Sequence, residues 1–507
     1  MRFQGPGLGR LTRCAVLVAL TPILLWVSLP SYSQEAAADS QSAQQISQLR
    51  QQVDELRQLV LSLQRSVAEL QAAASVTPGA PAAAATAPRP QGGAAPVATA
   101  APSVAPAAPA PVPAAAGTAV PGGAPATART GADFLRGLTI NALLDTYYEY
   151  NFDDPIGRAN LLRAYDVSSN SFSLNQADLL VESAPDLSVD KRFGMRIDFQ
   201  YGQASETLQG NPANELRPEI YRNVFQAYGS YWIPIHGNPL TLDFGKWASS
   251  LGIEGNYTKD QWDYSRSYWF DFLPYYHSGL RASYKVNDLL TFNYWVTNGT
   301  QQTEAFNNFK DELVGFVLQP TASLTWTFNY YLGQEHPDVI YITNPGPGQQ
   351  NLPTQQGTAF VPIPNAPNGR LKISDTYLTW QATPALSLAA EADYVTEQLY
   401  SYSPYQRVTG GALYARYQLT PRFWLATRGE YLADPAGLFS GQSQYLKEAT
   451  LTGEYKVADG FLVFVEWRRD ASNRPYFLTP ALYAYDSHQD TLGFGLVWWL
   501  GQKEGSW

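Results

Sequence analysis

From Leu138 to Leu500 the chain repeatedly alternates apolar and polar residues with a period of two. The stretch DTLGFGLVWWL, Asp490 to Leu500, shows this plainly, because one set of alternate positions reads Leu, Phe, Leu, Trp and Leu. Successive side chains of a strand point to opposite faces, so the pattern predicts strands whose faces meet different surroundings. The region holds about 16 such segments, each near the roughly 9–11 residues that cross a bilayer at a tilt.

The connections between these predicted strands alternate in length. The even strands end in turns such as SAPDLSVDKR, PIHGNP and KVNDLL, which are built on Pro, Asp, Asn or Gly. The odd strands lead into long loops near 151–171, 203–220, 248–277, 298–311, 334–370, 398–406, 433–445 and 470–489. Outer-membrane barrels have this arrangement, with short turns in the periplasm and long loops outside. The sequence therefore predicts an all-β transmembrane antiparallel barrel (residues 133–507) of about 16 strands, with lipid outside and a wet lumen.

The N-terminus carries the features of a secretory signal peptide, residues 1–33. Three arginines precede an apolar core that is shorter than the roughly 20 residues of a membrane-spanning helix. Small residues, Ser31 and Ser33, precede the expected cleavage site. The only cysteine, Cys14, is lost with the signal, so we expect no disulfides in the exported chain. A short segment, residues 34–45, follows.

Residues 46–71 have apolar residues at positions a and d of four uninterrupted heptads, which predicts a coiled coil. β-branched residues at a with leucine at d favour a coiled coil of two helices, but valine at a also allows three helices. We therefore expect a homo-oligomer, either a dimer or a trimer. Residues 72–132 are almost all Ala, Pro, Gly, Thr and Val, which predicts an extended periplasmic spacer. The coiled-coil core positions are Ile46, Leu49, Val53, Leu56, Val60, Leu63, Val67 and Leu70.

Composition and charge exclude several classes of function. The formal net charge is −10 without a basic run, which argues against binding to nucleic acid. Aromatic residues make up 13% and charged residues only 15%, unlike a typical soluble protein. The four histidines fall in one predicted turn and three separate loops, so no catalytic group or paired metal ligands converge. We therefore expect no enzyme activity, no cofactor and no metal site.

The stretch from Gly245 to Tyr284 carries the most specific motif of the chain. Its characteristic residues are Gly245–Lys246, Gly252, Glu254, Asn256, Ser265–Arg266–Ser267, Pro274, His277, Gly279, Arg281 and Tyr284. In these residues the chain resembles the outer-membrane porins of the β-barrel porin-2 family, the outer-membrane-protein-L-like barrels. WASS stands at Trp247–Ser250, where that family is expected to have an aromatic–Thr–Pro run. The resemblance implies a Gram-negative-type outer-membrane channel for small hydrophilic solutes, without catalytic residues.

The third long loop, 248–277, has two interpretations. In general porins the third loop folds into the lumen and narrows it, so its charges would lie near a constriction and set ion selectivity. Alternatively, the loop packs on the rim, with Trp262 and Trp269 as interfacial aromatic residues. The candidate constriction residues are Glu254, Lys259, Asp260, Asp263, Arg266 and Asp271.

Strand parity predicts which charged residues face the lumen. The candidates are Arg196, Asp198, Arg222, Asp243, Arg281, Lys285, Glu391, Asp393, Arg416, Arg428, Glu430, Glu466 and Arg468, joined by the acids Asp145, Glu149, Asp178, Glu182 and Glu454. Acids outnumber bases in this set, which predicts a weak cation preference. Neutralisation by cross-strand pairs is the alternative.

Passive diffusion of small hydrophilic solutes or ions is the function that these patterns favour. A sugar-selective channel is the alternative within the same class, because YWFDFLPYY could offer stacked aromatic rings. A structural barrel, tethered to the periplasm or cell wall by its coiled coil, is the alternative from another class. Barrel size separates the two classes, since about 16 strands leave an aqueous channel whereas about 8 are filled by side chains.

Overall fold

The computed structural model describes residues 137–209, 215–235, 237–343, 354–355, 358–503 and 505–507. The predicted signal peptide, the segment 34–45, the coiled coil and the spacer lie outside these residues.

Sixteen strands, each antiparallel to its neighbours, form one closed barrel. In chain order they are β1 (Leu138–Asn151), β2 (Ser171–Ser183), β3 (Phe193–Tyr201), β4 (Val224–Ile235), β5 (Asn238–Ala248), β6 (Tyr276–Lys285), β7 (Leu290–Thr297), β8 (Asp311–Thr321), β9 (Leu324–Gly333), β10 (Leu371–Gln381), β11 (Leu386–Glu397), β12 (Gln406–Thr420), β13 (Phe423–Asp434), β14 (Gln444–Ala458), β15 (Phe461–Ser472) and β16 (His488–Gly501). The predicted fold class, an antiparallel barrel of about 16 strands, is confirmed.

The barrel closes where the first strand meets the last. β1 pairs with β16 from Asn141 opposite Gly501 to Asn151 opposite Thr491, and every other strand pairs with its neighbours along the chain. Closure leaves no row of unpaired backbone groups, which a barrel in lipid could not tolerate.

The connections alternate in length as the sequence predicted. Only two residues separate β8 from β9 (322–323), β12 from β13 (421–422) and β14 from β15 (459–460). Gly460 closes the last of these turns with a φ of 81°, a backbone conformation that glycine adopts without steric cost. At the other end lie the long loops, among them 152–170 and 249–275.

The long loops contain small elements of their own. The longest connection, between β9 and β10, holds a sheet of Val339–Thr343, Thr354–Gln355 and Thr358–Pro362, and the loop before β16 pairs Phe477–Leu478 with Tyr485–Asp486. The α-helices are α1 (Gln203–Gln209), α2 (Pro218–Tyr221) and α3 (Tyr268–Phe272), and single 3-10 turns lie at Ile156–Arg158, Leu187–Val189 and Thr258–Asp260. None of the helices in the described ranges is long and apolar enough to cross a membrane.

The last strand shows which face of the barrel is apolar. Leu492 and Phe494 are 45% and 44% exposed on the outer surface, and Leu500 is 71% exposed. Thr491 and Val497, on the opposite face, are buried inside the barrel. The apolar face of Leu492, Phe494 and Leu500 is therefore the outer face, and the face that carries Thr491 and Val497 points inward.

Candidate functional site

Residues 249–275, hereafter the lumen loop, connect β5 to β6 and lie inside the barrel. Five aromatic side chains of this loop are buried: Tyr257, Trp262, Tyr264, Tyr268 and Trp269. The loop forms hydrogen bonds with inward-facing side chains of several strands around the barrel, including β1, β3, β11, β13 and β15. Of the two positions considered for this loop, the structure therefore shows the one inside the lumen.

The tip of the lumen loop reaches the wall formed by β1 to β3. The Tyr257 hydroxyl donates to Asp198 of β3 and accepts a hydrogen bond from Arg196 Nη2 at 2.8 Å. Thr258 Oγ1 donates to Asp145 Oδ2 of β1 at 2.7 Å. The tip thus replaces water as the hydrogen-bonding partner of charged groups on this wall.

Carboxylates of the wall formed by β13 to β15 hold the backbone of the lumen loop. Glu466 of β15 accepts hydrogen bonds from the backbone N–H groups of Tyr264 (2.6 Å) and Ser265 (3.0 Å). Glu430 of β13 accepts from the backbone N–H of Tyr268 at 2.8 Å, at the start of α3. Hydrogen bonds to ionised acceptors are stronger than neutral ones, so these carboxylates fix the path of the loop.

Two arginines of the same wall bind the carbonyl groups of the loop. Arg428 of β13 donates to the Ser265 carbonyl at 2.9 Å and pairs with Glu254 of the loop at 2.8 Å. Arg468 of β15 donates to the Arg266 carbonyl at 2.5 Å. Both guanidinium groups are fully buried, which makes them anchors of the loop rather than charges that face water.

Arg266 stabilises the fold of the loop itself. Its guanidinium group donates to the carbonyls of Gly255 (3.0 Å), Tyr264 (2.7 Å) and Asn256 (3.1 Å), and it lies 4.5 Å from the ring centre of Tyr165. Three carbonyls from two parts of the loop converge on one fully buried side chain. Arg266, one of the candidate constriction residues, is therefore fully buried and stabilises the loop.

The remaining charged candidates of the loop are also buried or paired. Lys259 Nζ lies 2.7 Å from Asp260 Oδ1. Burial raises the pKa of Asp263 to about 8, against the lowering effect of nearby Arg428, and Glu466 raises it further. Burial likewise raises the pKa of Asp271 to about 6. The loop thus carries carboxyl groups that titrate near neutral pH.

Most of the predicted lumen-facing residues fall into two groups. Eight contact the lumen loop directly: Asp145, Arg196, Asp198, Glu391, Arg428, Glu430, Glu466 and Arg468. Asp243, Arg281, Arg416 and Lys285 instead pair away from it, as Asp243–Arg281 (2.7 Å), Arg416–Glu454 (2.5 Å) and Lys285–Asp288 (2.8 Å). Asp393 lies in neither group, because both of its carboxylate oxygens lack a hydrogen-bond partner in the described part of the chain.

Arg222 is a correction to the strand map. It follows helix α2, and β4 begins only at Val224. The chain between β3 and β4 is helical in two places, so the period-two parity used to place Arg222 does not apply there.

Sequence reasoning missed a second loop inside the barrel. Arg163 and Asp166, from the first long loop, form a buried ion pair at 2.8 Å, and Arg163 also reaches Asp470 of β15 at 2.7 Å. Tyr165 of the same loop donates to the Asn256 side chain at 2.5 Å. Alternation cannot reveal such contacts, because these residues belong to a loop.

The segment after β16 also meets the lumen loop. The backbone N–H of Trp507 donates to Asp260 at 3.1 Å, and the Trp507 ring lies 5.9 Å from that of Tyr257 in an edge-on arrangement. Lys259 Nζ lies 4.6 Å from the Trp507 ring centre and donates to the Gly505 carbonyl at 2.9 Å. The loop therefore extends from the long-loop end of the barrel to the residues that follow its last strand.

The aromatic run YWFDFLPYY does not form an open row of rings. Tyr268 and Trp269 are 0% exposed and Tyr276 is 1% exposed. Tyr268 and Trp269 belong to the main apolar cluster, and Trp269 packs edge-on against Phe439. Rings packed in this way offer little surface to a passing sugar.

Comparison with known proteins gives one family and a set of structures. The family model described as "Putative beta-barrel porin-2, OmpL-like" matches residues 137–498. No curated protein sequence matches the chain.

The similar solved structures are barrels of low sequence identity. One is the anion-selective porin from Comamonas acidovorans, with a TM-score of 0.46, 9% identity and coverage of 72% of this chain and 99% of that chain. A second is the outer membrane channel DcaP of Acinetobacter baumannii, with a TM-score of 0.45, 10% identity and coverage of 72% and 97%. A third is the trimer form of OmpT, an outer membrane protein of Vibrio cholerae, with a TM-score of 0.43, 11% identity and coverage of 72% and 99%.

Proposed function

Because this chain belongs to the β-barrel porin-2, OmpL-like family, we propose that it forms a water-filled channel through which small hydrophilic solutes diffuse passively across the outer membrane. Its sixteen strands place it near the size at which barrels enclose an aqueous channel. Passage by diffusion needs no catalytic group, so the proposal includes no enzymatic step.

Uneven packing of the lumen is the observation that carries this proposal. The side chains of Arg428 and Arg468, beside the lumen loop, are 0% and 1% exposed. Those of Arg281 and Arg416, away from it, are each 16% exposed, and that of Lys285 is 24% exposed. Solvent therefore reaches charged side chains of β6 and β12, which supports a hydrated path beside the loop.

Carboxylates of the inner wall support a weak preference for cations. Arg281 and Arg416 are each neutralised by a carboxylate. Asp375, Glu391 and Asp393 face the lumen together without an ion pair to any basic side chain among the described residues. An excess of unpaired carboxylates raises the local concentration of cations.

We further propose that the barrel lies in the outer membrane and that the chain forms a homo-oligomer. The exposed apolar outer face would contact outer-membrane lipid. The predicted coiled coil, 46–71, would join two or three copies in the periplasm, with spacer 72–132 between it and the barrel. Contact with the cell wall is an added role for the same segment and is compatible with transport.

Liposome swelling tests the transport proposal. Refolded full-length protein is reconstituted into liposomes, which are then diluted into isotonic solutions of sugars of increasing size. We expect swelling that is fast for the smallest sugars and slower for each larger one, because passage depends on solute size. Swelling no faster than that of protein-free liposomes, with insertion verified by protease protection, would refute the channel.

A further inference from the structure

Three carboxylates form a compact group on the inner wall at β10 and β11. Asp375 lies directly opposite Asp393 in the strand register, and Glu391 lies two residues before Asp393 on the same face. Each side chain offers an oxygen atom within 4.8 Å of the others. The three residues are 0%, 5% and 6% exposed for Asp375, Asp393 and Glu391. The group therefore brings three carboxyl groups together where little water can solvate their charge.

Hydrogen bonds leave much of this charge without compensation. Asp375 Oδ2 accepts from the Asn329 amide at 2.8 Å, and Glu391 Oε1 accepts from the Ile253 backbone N–H at 3.2 Å. Asp375 Oδ1 and both oxygens of Asp393 have no hydrogen-bond partner in the described ranges. Unpaired buried acceptors are costly, and neighbouring carboxylates repel each other as well. The other buried carboxylates of this wall, such as Glu430, have donors or arginines beside them.

We propose that Asp375, Glu391 and Asp393 bind a hard divalent cation, Ca²⁺, on the lumen wall. The group supplies only oxygen ligands, which suit Ca²⁺ and Mg²⁺ rather than softer metals. Ca²⁺ accepts irregular geometry and two-oxygen binding by carboxylates, whereas Mg²⁺ demands a near-ideal octahedron. Cysteine and histidine spacing cannot reveal such a site, because its ligands come from two strands and carry only carboxylates.

The site lies where the lumen loop leaves the wall. The Ser250 carbonyl accepts hydrogen bonds from the Asn329 amide (2.9 Å) and the Tyr377 hydroxyl (3.3 Å). A Cβ atom at Gly252 would lie 3.3 Å from Glu391 Oε1, which shows how closely the backbone approaches the group. A bound cation would thus neutralise the wall against which the root of the loop packs. It would also reduce the negative excess on the lumen wall.

Calorimetric titration tests the site without reference to transport. Full-length protein, refolded from lipopolysaccharide-free material and treated with EDTA, is titrated in detergent with CaCl₂. We expect one Ca²⁺ per chain for the wild type and a loss of affinity of about tenfold or more for Asp393→Asn. Asp243→Asn is the matched control, since Asp243 is also 5% exposed in the lumen but pairs with Arg281 at 2.7 Å. It should bind Ca²⁺ as the wild type does.

Absence of Ca²⁺ binding by the wild type would overturn the proposal, and so would equal affinity of Asp393→Asn and Asp243→Asn. Heat-dependent migration in gels verifies that each variant forms a barrel. Should Asp393→Asn fail to fold, Asp375→Asn and Glu391→Gln replace it with the same expected loss. Because binding is measured on detergent-solubilised protein, a negative result here leaves the proposed channel intact. A failure of liposome swelling leaves the cation site equally intact.

Discussion

Gly495 shows how a single residue of the wall makes room for the lumen loop. A Cβ atom at this position would lie 2.4 Å from the ring of Tyr264. Tyr264 cannot easily move away, because its hydroxyl donates to Asp145 at 2.8 Å and its backbone N–H donates to Glu466 at 2.6 Å. The glycines of DTLGFGLVWWL are therefore not equivalent, although they share one face of the strand.

Gly495→Ala should consequently displace Tyr264 and loosen the loop, at a cost of about 1–3 kcal/mol in the free energy of unfolding. Gly493→Ala is the control, because the nearest atom to a Cβ there, Glu149 Cγ, is 3.8 Å away. Limited proteolysis of the loop and thermal unfolding of both variants provide the comparison. Equal behaviour of the two variants would contradict the packing described here.

Asp263 should make docking of the loop depend on pH. Its pKa is raised by burial from 3.8 to about 8, so the docked loop holds this proton more tightly than an undocked one. Docking of the loop is therefore most favourable at pH values below the ordinary pKa of an aspartate. As the pH rises from there towards 8, the free energy of docking loses up to about 1.4 kcal/mol per pH unit. Burial raises the pKa of Asp271 to about 6, which adds a loss of the same sign at lower pH.

Asp263→Asn imitates the protonated acid and can still accept the 2.8 Å hydrogen bond from Thr452. We expect protease cleavage of the wild-type loop to rise between pH 6 and 8, and to rise less in this variant. A protease with constant activity over this range is required. The same pH dependence in both proteins would exclude Asp263 as the titrating group.

At the scale of elements, strands β13 and β15 hold the lumen loop through buried hydrogen bonds and ion pairs. Arg428 alone joins Glu254 of the loop to Glu448 of β14, at 2.8 and 3.1 Å, and also binds the Ser265 carbonyl. Removing one partner of a buried ion pair costs about 3–5 kcal/mol, because the remaining charges stay buried without compensation.

Arg428→Met should therefore release the loop. We expect faster protease cleavage within 249–275 and larger, noisier single-channel currents. Arg416→Met is the matched control, since Arg416 pairs with Glu454 across β12 to β14 and its ion pair does not include the loop. Cleavage of the loop at the wild-type rate in Arg428→Met would show that other contacts suffice to hold it.

The segment after β16 should stabilise the tip of the loop. Trp507→Ala removes the ring that packs on Tyr257 and on the Lys259 ammonium group, and we expect a loss of about 0.5–2 kcal/mol. Trp507→Phe keeps an aromatic face and should retain most of this stability. Hydrogen exchange at residues 257–260 measures the effect, and unchanged exchange in Trp507→Ala would refute it.

For the whole molecule, the barrel could be predicted from the sequence but the contents of its lumen could not. Period-two alternation and turn composition are local signals, and they give the strands and the side on which each connection lies. The motif residues between Gly245 and Tyr284 likewise indicated the family that the match over 137–498 confirms. The loop packing depends on partners far apart in sequence, such as Arg163 and Asp470, which are 307 positions apart. Parity does not apply to Arg222, because this residue caps a helix and precedes β4.

The measurement that tests the central proposal most directly is single-channel conductance of the refolded full-length protein in a planar bilayer, with reversal potentials measured in a KCl gradient. We predict stepwise openings and a reversal potential of cation-preferring sign, which weakens when CaCl₂ is added if the carboxylate site is occupied. Steps grouped in threes would favour a trimer over a dimer. Correctly inserted barrels that pass no current would contradict the channel, and a reversal potential of anion-preferring sign would contradict the charge excess assigned to its lumen.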